Sequence, residues 1–98
     1  MVNWTLQAQK DVHRIFDYIK TDSRRYARSV TDKIYETGDS LDKFFRRGRI
    51  LPELNDPSVR EIFAFSYRII YENYQHQIYV LAVIHMSRMI TEKMLKRI

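Results

Sequence analysis

Nearly all the chain-breaking residues of this protein fall in one place. Residues 46–57 hold Gly48, Pro52 and the Asn55-Asp56-Pro57 triplet, and outside that stretch Gly38 is the sole glycine or proline. Glycine and proline interrupt helices and strands, so the segments on either side must each form long, nearly unbroken elements. The two segments also differ in rhythm. Before the break, apolar residues recur every three to four positions; after it, β-branched and aromatic residues gather in short runs.

In the first half, Val2, Asn3, Trp4 and Thr5 predict a short strand, at the edge or the centre of a sheet. Leu6, Ala8, Val12, Ile15, Phe16 and Ile19 then follow helical spacing, which predicts a helix over about 6–20. Lys10, His13, Arg14, Asp17 and Lys20 form its charged, solvated face. Thr21-Asp22-Ser23 supplies candidate N-caps for a second helix over about 23–45, with the stripe Ala27, Val30, Ile34, Leu41, Phe44 and Phe45. Gly38 interrupts that helix at about 1 kcal/mol relative to alanine, which marks a bend or a close helix contact. A short polar link between the helices predicts an antiparallel hairpin.

After the break, three extended runs cover 59–65, 67–74 and 78–85. Alternation places Tyr67, Ile69 and Tyr71 on one face of the second run, with Arg68, Ile70, Glu72 and Tyr74 on the other. In the third run, Ile78, Val80, Ala82 and Ile84 are expected to oppose Tyr79, Leu81, Val83 and His85. Both faces carry apolar residues, so one is expected to pack on the helix hairpin and the other to be partly exposed. Residues 73–77 make the intervening turn without a glycine. Ser87 is expected to cap a last short helix, with the stripe Ile90, Met94 and Ile98 and the cations Lys93, Lys96 and Arg97 near its C-terminal end. The predicted order is β-α-α-β-β-β-(α), in a single α+β domain spanning residues 1–98.

Composition narrows the function. Seventeen Lys+Arg against twelve Asp+Glu give a net charge of +5, which favours a polyanion or an acidic protein as partner. There is no cysteine, and His13, His76 and His85 lack metal-ligand spacing, so neither a disulfide framework nor a structural metal is expected, and no cofactor is implied. No apolar stretch approaches the ~20 residues of a membrane span, and the N-terminus lacks a signal-peptide pattern. The expected compartment is the cytoplasm, with no membrane partner.

The predicted order occurs together with Gly48-Arg49-x-x-Pro52-Glu53-Leu54, Arg60-Glu61-Ile62, Tyr67-Arg68-Ile69-Ile70-Tyr71 and a last strand ending in Val83-Ile84-His85-x-x-Arg88. Near the start, Trp4-Thr5 precedes Ala8 and Asp11, and Asp17-Tyr18-Ile19 and Tyr26-Ala27 follow in the helix hairpin. This combination resembles the RelE/ParE superfamily of toxins from bacterial type II toxin-antitoxin modules, with the helical features closer to the ParE-like branch. The resemblance covers nearly the whole chain. It implies a helix hairpin packed on a small, mainly antiparallel sheet, and growth inhibition relieved by a cognate acidic antitoxin.

The resemblance also implies two alternative chemistries. RelE-like members cut messenger RNA on the ribosome, whereas ParE-like members bind and poison DNA gyrase; an inactive antitoxin-binding module is a third reading. RNA cleavage through the 2′-hydroxyl needs a base, a cation at the phosphate and an acid at the leaving oxygen. Glu53, Arg68 and His85 match the Glu, Arg and His of YoeB-like nucleases in those roles. The departure from the RelE pattern lies after Arg88, where Met89 and Ile90 follow and no tyrosine occurs beyond Tyr79.

Each candidate also has a structural alternative. Glu53 is a possible loop partner of Arg49 or Arg60, and Arg68 either pairs with Glu61 or Glu53 or receives an anion. His85 is either a proton donor or a core histidine bonded to a backbone carbonyl. Arg49, Arg60, Arg68 and Arg88 are the candidate target- or partner-binding cations. Arg24, Arg25 and Arg28 read as a solvated face, and most of the seven tyrosines as core or edge residues.

Overall fold

A computed structural model describes residues 1–97. Strand β1 (Val2–Trp4) leads into helix α1 (Leu6–Lys20), which turns back as α2 (Arg24–Asp39). Beyond the break come β2 (Arg49–Ile50), β3 (Val59–Ala64), β4 (Tyr67–Tyr74) and β5 (Gln77–His85). The five strands form one sheet in the order β1-β5-β4-β3-β2, antiparallel except for the parallel β1–β5 pair. The α+β order is the expected one apart from the added two-residue strand β2 and the terminal helix, and β1 is an edge strand.

Capping explains the helix starts. Thr5 Oγ1 accepts from the Ala8 amide at 3.1 Å and donates to the Leu81 carbonyl at 3.2 Å, so one hydroxyl starts α1 and ties it to β5. Ser23 caps α2 through the Tyr26 amide. That helix ends at Asp39 rather than near residue 45, and two 3-10 turns, Ser40–Asp42 and Phe45–Arg47, carry the chain onward. Leu41 still reaches the core, but Phe44 is exposed. Gly38 marks a close approach to a strand residue: a Cβ there would collide with the Trp4 ring. Gly48 is likewise required by packing: a Cβ there would collide with the Glu61 carbonyl and the Tyr71 hydroxyl, which accepts from the Gly48 amide at 2.9 Å and donates to the Phe45 carbonyl at 2.6 Å.

The sheet is covered on both sides. Val12, Val30, Ile34, Leu41, Ile69 and Tyr71 are among the residues that form the core beneath the helix hairpin. Leu51, Val59, Ile70, Leu81, Ile84, Ile90 and Leu95 belong to a second cluster on the opposite face. That face is closed by the loop after β2 and by the segment following β5. The expected terminal helix does not form. Ser87 hydrogen-bonds His85 instead of capping a helix, and only a 3-10 turn, Glu92–Met94, occurs there. Extended backbone lets Ile90 and Leu95 both reach the sheet. Ile98, counted in the expected stripe, lies outside the described residues.

One strand departs from simple alternation. Ile70 pairs with Ala82 but Tyr71 pairs with Val80, so Leu81 is the extra residue of a β-bulge. A one-residue slip exchanges the faces. Ile78 and Val80 therefore share the helix-side cluster with Val83, while Leu81, Ala82 and Ile84 belong to the opposite one. The expected grouping of Ile78, Val80, Ala82 and Ile84 on one face is corrected accordingly. The β4–β5 turn works without glycine because Gln75 and His76 themselves adopt positive φ, 50° and 64°.

Candidate functional site

Arg68 sits on β4 with its guanidinium on the sheet face away from the helices. Register pairs Arg68 with Ile84, so the side chain emerges among apolar neighbours and is 6% exposed. An unpaired cation there would be very costly, and the surrounding residues satisfy it. Its Nη1 and Nη2 each donate to a Glu53 carboxylate oxygen at 2.8 Å, and its Nε donates to Glu61 at 2.5 Å. Glu61, 1% exposed, accepts from Arg49 Nε through its other oxygen, also at 2.5 Å. Two carboxylates and two guanidiniums thus form a neutral chain, Glu53–Arg68–Glu61–Arg49.

This network also holds the segment after β5. Arg68 Nη1 donates to the Arg88 carbonyl at 3.1 Å, and the Ile90 amide donates to Glu53 at 3.2 Å. Farther along, Arg97 Nη2 bonds Glu72 and Asp56, each at 2.7 Å. The Arg68 hydrogen bonds, reinforced by backbone amides, hold the Glu53 carboxyl down at about 2. A carboxylate with so low a pKa and both oxygens engaged is a poor proton acceptor.

His85 lies elsewhere. It pairs across the ladder with Tyr67, one position from the Arg68–Ile84 pair, and successive residues of a strand face opposite sides of the sheet. The imidazole is on the helix side, exposed, and edge-on to Tyr67 with centroids 5.6 Å apart. The Ser87 amide donates to His85 Nδ1 at 3.1 Å, so the neutral ring carries its proton on Nε2. The structure thus brings Glu53 and Arg68 together and sets His85 across the sheet from them.

The remaining candidate cations have separate surroundings. Arg49 lies over the Phe63 ring at 5.6 Å while most of its side chain meets solvent. Arg60 stacks on Phe45 at 5.2 Å and donates to the Gly48 carbonyl; its Nε is buried without a hydrogen-bond partner among the described residues. Arg88 has an exposed side chain and, among the described residues, no carboxylate within ion-pairing distance. The described residues contain no cluster of His, Cys, Asp and Glu able to hold a metal, and no helix long and apolar enough to cross a membrane.

A family model, the ParE toxin of the type II toxin-antitoxin system parDE, matches residues 2–90. The chain belongs to the ParE toxin family. Among solved structures, a chain of the chromosomal ParDE TA system from P. aeruginosa is similar to it with a TM-score of 0.73 at 20% identity, covering 88% of this chain and 95% of that one. At that identity the likeness is one of fold. No curated protein matches.

Sequence reasoning missed one surface of this ParE-family chain. Tyr18 is 79% exposed and Tyr26 53% exposed, so these two stand apart from the tyrosines at core or edge positions. Both approach Tyr67, whose hydroxyl is pushed up first by burial and then by the Tyr26 and Tyr18 hydroxyls. The signal available in the sequence was the charged context of Tyr18, four residues after Arg14 on α1.

Proposed function

We propose that this chain is a growth-inhibiting toxin that disables DNA gyrase and is silenced by a cognate acidic antitoxin. The Glu53–Arg68 pair carries the reading. A ribosome-dependent nuclease of the kind considered from the sequence needs Glu53 free to take a proton, Arg68 free to meet a phosphate and His85 beside them. Glu53 and Arg68 instead neutralise one another, and His85 faces away. Membership of the ParE family supports the toxin role, and the net charge of +5 suits an acidic partner.

The test adds the purified chain to gyrase, relaxed plasmid and ATP, and in parallel to ribosomes translating a defined mRNA. Loss of negative supercoiling with intact mRNA is the expected result. Normal supercoiling at micromolar protein, or discrete mRNA ends, would overturn the reading. The product of a small acidic reading frame adjoining this one should restore supercoiling when premixed with the chain.

A further inference from the structure

At one end of the molecule, α1 passes the start of β4 and the end of β5, leaving an open groove of about 430 Å3 lined by Arg14, Tyr18, Tyr67, Val83, His85 and Arg88, among others. Three features distinguish it from ordinary solvated surface. First, it gathers aromatic rings: Tyr18 is largely exposed, and Tyr67 is half-buried with His85 edge-on to it. Exposed aromatic rings offer faces on which any nucleobase can stack.

Second, cations flank those rings. The Arg14 side chain is 74% exposed and only 3.9 Å from Asp11 at its closest, while Arg88 has no ion-pair partner among the described residues. The one carboxylate in the groove is already engaged: Asp11 accepts from the Val83 amide at 2.9 Å and from Gln7 Nε2 at 2.7 Å. Third, with Nδ1 of His85 accepting from Ser87, Nε2–H is left as a donor with no hydrogen-bond partner among the described residues.

We propose that this groove binds a short single-stranded nucleic-acid segment, its bases against Tyr18 and Tyr67 and its phosphates at Arg14 and Arg88. A peptide whose contacts are carboxylates alone would engage the two arginines but make no use of the rings. Strands of alternating flat bases and phosphates use both, and the chain's charge of +5 strengthens the attraction at low salt. The proposal is independent of gyrase inhibition, so each can fail alone.

The test measures anisotropy of labelled mixed-sequence single-stranded DNA and RNA octamers against the full chain at two salt concentrations. Tyr18→Ala, whose side chain is too exposed to matter for folding, should weaken binding roughly 5- to 150-fold, the range that about 1–3 kcal/mol per stacked base represents. The Arg14→Gln/Arg88→Gln double variant should bind weakly, whereas Arg24→Gln/Arg25→Gln, with the same loss of charge, should bind nearly as wild type. A preference for either oligonucleotide supports the proposal and tells which sugar is read. Absence of binding to both would overturn it, as would equal losses in the two double variants with Tyr18→Ala unchanged, or displacement of the octamer by an equimolar polyglutamate peptide.

Discussion

Arg68 presents Nη1 and Nη2 to the two carboxylate oxygens of Glu53, each at 2.8 Å, so the pair is bidentate. Its Nε reaches Glu61, whose carboxylate is fully removed from solvent. Removing one member of such a buried set leaves an uncompensated charge, which typically costs about 3–5 kcal/mol. Arg68→Ala should therefore lower the free energy of urea unfolding by about that amount. Arg68→Lys should rescue it only in part, because an ammonium cannot make the two parallel bonds of a guanidinium. A loss below about 1 kcal/mol in Arg68→Ala would contradict a structural role.

The same pair predicts a pH dependence. The Glu53 carboxyl is lowered from 4.5 to about 2 in the folded protein. Its stabilising contribution is fully present above the ordinary value of 4.5 and is lost as pH falls through about 2. Glu53→Gln has no such titration. Urea midpoints should show wild type ahead of Glu53→Gln at pH 7 and the gap narrowing as the pH drops through that window. Asp56, also lowered chiefly by hydrogen bonds from Ser58, adds an acid sensitivity common to both proteins.

Gly38 tests the packing of β1 on α2. Alanine is the better helix former by about 1 kcal/mol, yet its Cβ would strike a Trp4 ring already held by Tyr35, centroids 4.5 Å apart, and by Asp39 at 2.8 Å. Overpacking of this kind usually costs about 1–3 kcal/mol. Gly38→Ala should thus destabilise, with a change in the fluorescence of the single tryptophan.

Phe65 occupies the β3–β4 turn at φ 53° with more than half its surface exposed. A left-handed conformation costs most L-residues about 1–2 kcal/mol, and asparagine tolerates it better. Phe65→Asn should stabilise by about 0.5–1 kcal/mol, raising Tm by about 2–8 °C in a differential scanning experiment. Reduced toxicity of the stabilised variant in cells would mark Phe65 as a residue strained for function.

Much of the fold was legible because its signals are local. Ser23, from the expected capping cluster, starts α2, apolar spacing outlines α1 and most of α2, and alternation sorts β4 correctly into Tyr67, Ile69 and Tyr71 against Arg68, Ile70 and Glu72, whereas the cap at Thr5 was read as strand. What escaped depends on contacts distant in sequence. The bulge at Leu81 arises from how β5 meets β4, and no residue type announces it. The absent terminal helix follows from Ser87 finding His85 and from Ile90 and Leu95 finding the sheet. Glu61 and Glu53 were both foreseeable partners of Arg68, but that it takes both at once is visible only in three dimensions, as is the assembly of Tyr18, Tyr26 and Tyr67 from α1, α2 and β4.

The parallel partner of β1 is β5, with Val2 aligned to Ile78 and Trp4 to Val80. The opening strand of the chain has no ladder to join until the final strand has been synthesised. Nascent chains still on the ribosome consequently hold an incomplete sheet, with the Val2 and Trp4 side of the core open. β5 alone bridges β1 to the rest of the sheet, so closure of the core waits on that one strand.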